Sequence, residues 1–367
     1  MRLRSLDVFR GLTMAGMVIV NNPGDWVTVY APLRHAAWHG WTPTDLIFPW
    51  FLFIMGAAMA QTEPSRWSPS AVLRRGIVLV GLGLLMSGFP FFNPARWRIP
   101  GVLFRLGTCY VAAAFVWRGL AVRGNAMATL RRCAAAAAAC LLVYWGLLAL
   151  VPPPGGVAGD LSAEGHLGAW LDRAIFGRHL WTPRWDPEGL LSSLPAVGTT
   201  LMGVVAGLWL RATRPACGAP ALVSTGAAAM LAGLLWDTVF PINKALWTSS
   251  YALFTGGTAA LALGVLHLRL DDRRSSPWLD RITEPFVAMG RNALLLFVLS
   301  GLVAKSLLLL TVGTGPAAGS WQQWIYTTVF VPLAAPQVAS LLFALTTLAV
   351  LYVLLAWLHR KRWYWSV

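Results

Sequence analysis

The sequence predicts an all-α integral membrane protein, a polytopic bundle of about ten transmembrane helices with cytoplasmic N- and C-termini. Of its 367 residues, 57% are hydrophobic and 12% are charged, and the mean hydropathy is +0.62. A soluble domain of this length cannot bury so much apolar surface. The apolar runs lack the period-two alternation of barrel strands, so they favour helices as the spanning elements.

Ten apolar stretches are long enough to span a bilayer, and they are centred near residues 14, 52, 82, 110, 142, 202, 228, 259, 298 and 347. With the N-terminus inside, the arginines concentrate in the cytoplasmic loops and the C-terminal tail, as the positive-inside rule requires. The formal net charge of +15 therefore follows from topology, and its scatter over short loops does not indicate nucleic-acid binding. We interpret residues 1–367 as one transmembrane domain.

The first two helices flank a polar segment. Helix 1 is predicted from about Leu6 to Asn22, and an outward-facing segment follows it. Helix 2 begins at the residues TPTD, positions 42–45, with Thr42 as the cap, a proline at the first helical position and an acid three residues after the cap. Asp45 therefore has a structural interpretation as a capping carboxylate.

The breaker PPPGG at residues 152–156 opens the longest non-spanning segment, an extracytoplasmic loop at about residues 152–192. Apolar residues spaced along residues 167–176 predict a short interfacial helix within it. The loop also carries Asp160, Glu164, Asp172, Asp186 and Glu188. These acids favour either recognition of a cationic acceptor or an ordinary solvated surface, and the sequence leaves both open.

The four cysteines do not form a CxxC motif, and they lie in or beside apolar stretches. We interpret them as small buried hydrophobic residues, and no metal site or disulfide is predicted. They are Cys109, Cys133, Cys140 and Cys217.

Polar residues inside apolar spans are costly and are therefore candidates for function. Asp7 and Arg10 lie three residues apart on one face of helix 1. They are interpreted either as a structural ion pair or as a site where Arg10 meets a phosphate entering from the cytoplasm. The other candidates of this kind are Arg105, Asp237, Asn292 and Lys305.

His35 and Asp45 lie ten residues apart, where a polar segment becomes a lipid-length apolar helix. A neutral imidazole at that boundary is able to act as a general base or as an acyl-accepting nucleophile. Asn21, at the outer end of helix 1, is a candidate hydrogen-bond donor to a developing oxyanion. A histidine satisfied at the membrane interface is the alternative interpretation.

Eight sequence blocks, spread over nearly the whole chain, resemble those of a known family and follow one another in the same order. They are RLRSLDVFRG (2–11), VN (20–21), HAAW (35–38), DLIFPWF (45–51), GVLFRLG (101–107), DPEGLL (186–191), PINKALWTSSY (241–251) and GRNAL (290–294). Together they closely resemble the heparan-α-glucosaminide N-acetyltransferase family. The chain is similar to bacterial inner-membrane proteins linked to N-acetylglucosamine use.

The resemblance implies an acyltransferase that moves the acetyl group of cytoplasmic acetyl-CoA to a glucosamine-type amino sugar outside the membrane. It implies His35 as the active histidine, Asn21 as the active-site asparagine and Asp45 as the acidic partner. His35 is then either the general base or the acetyl acceptor of a ping-pong scheme. Coenzyme-binding residues are predicted to be Arg10, Asp7, Arg105, Asn292, Ser249 and Ser250. Acceptor-binding residues are predicted to be Asp186, Glu188, Asn243, Lys244 and Trp247.

The resemblance further implies a homodimer in the bacterial inner (plasma) membrane. One alternative function is a proton-coupled transporter of a sugar or lipid precursor, with His35 and Asp45 as a proton relay. The chain has no convincing internal repeat of the kind that many transporters carry. A non-catalytic membrane scaffold is the third hypothesis.

Overall fold

The computed structural model describes residues 3–64, 67–213, 215–272, 276–313 and 319–365. Within this part of the chain the protein is almost entirely helical, with thirteen α-helices and one hairpin of two-residue strands. Arg2 of the first matching block lies outside the described residues, and so does the side chain of Cys217.

The helices follow the apolar segments of the sequence. They are α1 (Arg4–Asn21), α2 (Ile47–Met59), α3 (Pro69–Gly88), α4 (Val102–Leu120), α5 (Ala126–Leu150), α6 (Leu167–Phe176), α7 (Ser193–Ala212), α8 (Pro215–Asp237), α9 (Ser249–His267), α10 (Pro277–Arg291), α11 (Ala293–Leu309), α12 (Trp321–Ile325) and α13 (Pro336–Arg360). Strand β1 (Thr311–Val312) pairs antiparallel with β2 (Gly319–Ser320). Each of the ten predicted centres falls within one of these helices, and α6 is the interfacial helix predicted in the long loop.

Six of the described helices are long and apolar enough to cross a membrane, namely α3, α5, α7, α8, α9 and α13. Helices α10 and α11 together meet the same condition but are bent by 77° at their junction, Asn292. The structure therefore supports an all-α membrane protein. The count of about ten spans stays a prediction.

The length of helix α9 gives the distance between the two ends of the bundle. At its first turn, the Tyr251 hydroxyl donates to the backbone carbonyl of Asp45 at 2.5 Å. Just beyond its last turn, the Asp271 carboxylate accepts from the backbone N–H of Arg4 at 2.8 Å. At about 1.5 Å per residue, the 19 residues of α9 extend about 28 Å, close to the hydrocarbon thickness of a bilayer. Asp45 and the start of α1 therefore lie at opposite ends of the bundle, which we call the His35 end and the Arg4 end.

Both termini of the helical bundle lie at the Arg4 end. Glu284 of α10 accepts from the Arg4 guanidinium at 3.2 Å and lies 3.1 Å from Nε2 of His359, in the last turn of α13. This arrangement agrees with an even number of spans. Which side of the membrane the Arg4 end faces stays a prediction, and the positive-inside rule assigns it to the cytoplasm.

Glycines allow α2 and α7 to cross in backbone contact. A Cβ atom at Gly203 of α7 would overlap the carbonyl of Phe53 in α2, and one at Gly56 of α2 would overlap the carbonyl of Thr200 in α7. Small residues at crossings let membrane helices approach closely, where dispersion contacts hold them together. Because α2 begins two residues after Asp45, this crossing positions the His35 end of the fold.

The α2–α7 crossing gives a stability prediction. We expect Gly203→Ala to lower the free energy of unfolding by about 1–3 kcal/mol or more, because the added methyl group overpacks a backbone contact. Gly146→Ala in α5 is the matched control, since a Cβ atom there meets nothing within 4 Å. Helix propensity alone should leave that control unchanged or raise its stability by up to about 1 kcal/mol. Thermal unfolding in detergent checks both variants, and equal midpoints would contradict the close crossing.

Candidate active site

His35 and Asp45 form a hydrogen-bonded pair at the His35 end. Nδ1 of His35 lies 2.6 Å from Oδ1 of Asp45. The Asp45 side chain is fully buried, whereas 51% of the His35 side chain is exposed. With Nδ1–H donating to the carboxylate, Nε2 carries the lone pair of the neutral ring. The imidazole is therefore oriented from behind and open to a reactant in front.

The second oxygen of Asp45 caps the helix that follows. Oδ2 accepts from the backbone N–H groups of Ala36 and Thr42, each at 3.0 Å, and from the Thr42 hydroxyl at 3.1 Å. The predicted capping box is thus confirmed, although the chain passes through a 3₁₀ turn, Pro43–Leu46, before α2 begins. One oxygen of Asp45 therefore fixes the backbone and the other holds His35, and a role of Asp45 in catalysis stays a prediction.

Lys244, which lies 209 residues from His35 in the sequence, is the third member of the cluster. Its Nζ lies 2.9 Å from Nδ1 and 3.3 Å from Nε2 of His35, and 3.4 Å from Oδ1 of Asp45. Lys244 belongs to the segment between α8 and α9, where the side chain of Asn243 accepts from the backbone N–H of Leu246 at 2.8 Å. The pairing of residues 35, 45 and 244 arises from three separate segments of the sequence.

The charges of this cluster favour an ionised Asp45. Burial opposes ionisation, but the hydrogen bond from His35 and the charge of Lys244 outweigh it and lower the pKa of Asp45 to about 2. Burial lowers the pKa of Lys244, against the attraction of Asp45 and Glu188. Because the folded pKa of Asp45 lies below its ordinary value, the pair stabilises the folded state above about pH 4. That contribution is lost as the pH falls to about 2.

Asp186 and Glu188, predicted to bind the acceptor, form a buried ion-pair cluster with Arg98. Arg98 donates from Nε to Asp186 at 2.8 Å and also pairs with Glu188. The ring of Trp181 lies against the guanidinium, with its centroid 4.8 Å away. Both carboxylates therefore already have a cationic partner, and their contact with a cationic sugar stays a prediction.

Trp247, another predicted acceptor-binding residue, is buried. Its backbone has a φ of +52°, and its ring packs against Tyr251 at a centroid distance of 5.3 Å. The Arg105 guanidinium lies 5.0 Å from the Trp247 ring and donates to the carbonyl of Gly189 at 3.0 Å. Trp247 and Arg105 are both buried, so they support the site from within.

The structure divides the predicted coenzyme-binding residues between the two ends. Ser249 and Ser250 are buried at the start of α9, where the Ser249 hydroxyl donates to the carbonyl of Leu141 at 2.6 Å. With Arg105, they lie at the His35 end. Asp7 and Arg10 lie near the start of α1, at the Arg4 end.

The cluster at the Arg4 end surrounds the break between α10 and α11. Arg10 lies 3.7 Å from Asp7 and donates to the carbonyl of Gly290 at 3.3 Å. Arg291 lies 3.6 Å from the same Asp7 carboxylate. The side chain of Asn292 accepts from the backbone N–H of Trp365 at 2.9 Å, so the C-terminal tail packs over this break.

Asn21 lies at the last residue of α1 and is exposed. Among the contacts of the described residues, it has no hydrogen bond to His35 or Asp45. The neighbouring Asn22 is buried and donates to the carbonyl of Val18 at 2.8 Å. The role of Asn21 as an oxyanion donor stays a prediction.

Two residues that hold predicted site residues in place, Tyr251 beside Asp45 and Arg98 beside Asp186 and Glu188, were missed in the sequence. Tyr251, which bonds to the Asp45 backbone, closes the block PINKALWTSSY and was detectable as a polar group in an apolar run. Arg98 carried no such signal, because its acidic partners lie 88 and 90 residues away.

A cavity of about 530 Å³ lies between α2, α5, α7, α8 and α9, away from this chemistry. Its lining carries no charged side chain, and His35, Asp45 and Lys244 are not among the lining residues. The cavity suits a hydrocarbon group and does not mark the reacting centre.

We expect Asp45→Ala to lower the free energy of unfolding by about 3 kcal/mol or more, because it strands buried N–H groups and an unpaired Lys244. The matched control is Glu164→Ala in the long loop, which breaks an exposed ion pair with Arg184 and should cause no measurable change. Thermal unfolding in detergent at pH 7 checks both variants. A similar midpoint for Asp45→Ala and the native protein would contradict this account of the cluster.

Comparison with known proteins agrees with the motifs. Residues 2–149 match the family model described as heparan-alpha-glucosaminide N-acetyltransferase, catalytic, and this range contains His35 and Asp45 but not Lys244. The chain is 28% identical to the mouse heparan-alpha-glucosaminide N-acetyltransferase over 356 residues, covering 81% of this chain and 53% of the relative. It is 28% identical to the human protein of that name over 364 residues, covering 81% of this chain and 52% of the relative. The chain thus spans about half the length of these curated relatives. These matches confirm the resemblance of this chain to the heparan-α-glucosaminide N-acetyltransferases.

Proposed function

We propose that this protein is a membrane N-acetyltransferase that moves the acetyl group of acetyl-CoA to the amino group of a glucosamine-type sugar. The observation that carries the proposal is the half-exposed imidazole of His35, held 2.6 Å from a fully buried carboxylate. The names of the curated relatives supply the reaction class. The resemblance adds a homodimer in the bacterial inner membrane to the proposal.

His35 performs the proton chemistry. Asp45 holds Nδ1–H, so Nε2 accepts the proton that the sugar amine loses as its nitrogen attacks the thioester carbonyl. The C–S bond then breaks, and the proton passes to the departing thiolate. In the alternative scheme, Nε2 attacks the carbonyl first and the C–S bond breaks to release the coenzyme thiolate. In a second step the amine takes the acetyl group from Nε2, and the proton that the amine loses balances the charge of the thiolate. In either scheme Asn21 is proposed to donate to the thioester oxygen.

The proposed acceptor site surrounds the exposed face of the imidazole. Lys244 contacts the imidazole from the segment before α9, which also carries the buried Asn243 and Trp247, and Asp186 and Glu188 lie in the ion-pair cluster with Arg98. Charged and aromatic side chains of this kind suit the hydroxyl groups and apolar faces of a sugar. The long extracytoplasmic loop supplies the two acids.

The donor is proposed to enter from the Arg4 end, about 28 Å from His35 by the length of α9. The side chains of Arg10 and Arg291 are 24% and 31% exposed there, and Arg360, Lys361 and Arg362 are close in sequence to the tail that packs on Asn292. This basic surface fits the phosphates of coenzyme A. The pantetheine arm then has to extend through the bundle to present its thioester to His35.

The proposed function predicts thiol release that depends on an amino sugar. Purified protein with acetyl-CoA and glucosamine should release free thiol, and His35→Ala should lower the rate by at least about 100-fold through loss of the base or nucleophile. His39→Ala is the matched control, because His39 lies on the same segment and contacts Asn243 at 3.4 Å without touching Asp45. We expect its rate to stay within a few-fold of the native rate.

Equal rates for His35→Ala and the native protein would remove His35 from the mechanism. Reconstituted vesicles test the sidedness of the reaction. Sugar acetylated on the side opposite to the coenzyme supports transfer across the membrane, whereas accumulation of unmodified sugar without coenzyme would favour a transporter.

A further inference from the structure

The chain places an amine of its own against the proposed catalytic imidazole. Nζ of Lys244 lies 2.9 Å and 3.3 Å from the two ring nitrogens of His35, within hydrogen-bond distance of both. An acceptor sugar has to bring its amino group to this same imidazole. Lys244 therefore brings an amine to within 3.3 Å of Nε2, the nitrogen to which an acceptor amine has to pass its proton.

We propose that Lys244 is an internal acetyl acceptor, which takes the acetyl group from the bound donor, with His35 as the base, when no amino sugar is present. The proposal rests on the proposed function, since it uses the same donor and the same imidazole. The chain contains only three lysines, Lys244, Lys305 and Lys361, so few lysines compete for acetylation.

The transfer is chemically balanced without any further reactant. The neutral amine of Lys244 attacks the thioester carbonyl, a C–N bond forms, and Nε2 of His35 takes the proton that the amine releases. The C–S bond breaks, and that proton passes to the thiolate. The products are an acetylated lysine and free coenzyme thiol.

The surroundings of Lys244 control how readily this happens. Only 23% of its side chain is exposed, and burial favours the neutral, nucleophilic amine by lowering the pKa of Lys244. The nearby carboxylates of Asp45 and Glu188 favour the ammonium form instead. This balance lets a sugar amine compete with Lys244, and a bound sugar protects the lysine by taking its place.

Acetylation of Lys244 changes the site. It removes a positive charge 3.4 Å from the Asp45 carboxylate and places an amide against the imidazole. The protein acetylated at Lys244 should therefore no longer acetylate the sugar. An excess of donor over acceptor would then switch the protein off.

The test is site-resolved mass spectrometry of the full-length protein incubated with acetyl-CoA, with and without glucosamine. We expect acetyl-lysine at position 244 without the sugar and at least about tenfold less with saturating sugar, because the sugar occupies the position of the competing amine. Lys361 is the internal control, because it lies in an exposed turn after α13, at the opposite end of the bundle from His35, and reports acetylation that does not use the imidazole. In His35→Ala, the rate at Lys244 should fall by at least about 100-fold and the rate at Lys361 should not change.

The outcomes separate this proposal from the function on which it rests. If sugar-dependent thiol release is normal but Lys244 stays unmodified without sugar, the internal-acceptor proposal is wrong and the proposed function stands. If neither sugar nor Lys244 is acetylated, the proposed function itself fails. Labelling of Lys244 at the same rate as Lys361, or unchanged in His35→Ala, also overturns the proposal. Thermal unfolding of His35→Ala verifies that this variant is folded, and His35→Gln provides a second variant that keeps a polar side chain.

Discussion

The fully buried carboxylate of Asp45 is the interaction on which the candidate site depends. One of its oxygens accepts hydrogen bonds from two backbone N–H groups and from the Thr42 hydroxyl, just before α2 begins. The other accepts from His35 and lies near Lys244. A buried charge is tolerated only where hydrogen bonds and opposite charges replace its hydration. The hydrogen bonds that compensate the burial of this charge include the bond that orients the imidazole. The residue that caps the helix therefore also sets the geometry of the candidate site.

The length of the bundle separates two kinds of chemistry. The His35 end combines an imidazole, an amine and a group of carboxylates, whereas the Arg4 end gathers arginines around the break between α10 and α11. Helix α9 joins the two ends over about 28 Å, so no side chain at one end reaches the other. A reaction that uses both ends requires a long flexible substrate, and the pantetheine arm of acetyl-CoA is such a molecule. This is the physical reason why the proposed function places the coenzyme phosphates at Arg10 and its neighbours rather than at Arg105.

Lys244 links the proposed function to its own regulation. An amine held beside the reacting imidazole reproduces the acceptor, and the carboxylates that keep it charged also limit its reactivity. Loss of that charge by acetylation would remove a partner of Asp45. Under this proposal, the state of the site depends on the ratio of donor to acceptor.

The sequence by itself determined the helical membrane class, the position of every predicted apolar segment and the capping of α2 by Thr42 and Asp45. It also indicated His35 as a candidate, because these features depend on local composition and on spacings of a few residues. Only the tertiary structure decided that Lys244, distant by 209 residues from His35, lies against the imidazole, and that Arg98 holds Asp186 and Glu188. It also separated Arg10 from Arg105, which the sequence had grouped as coenzyme ligands. The reason is physical: local hydrogen bonds and helix periodicity are encoded within a short segment, whereas contacts between segments depend on how the helices pack across the bilayer.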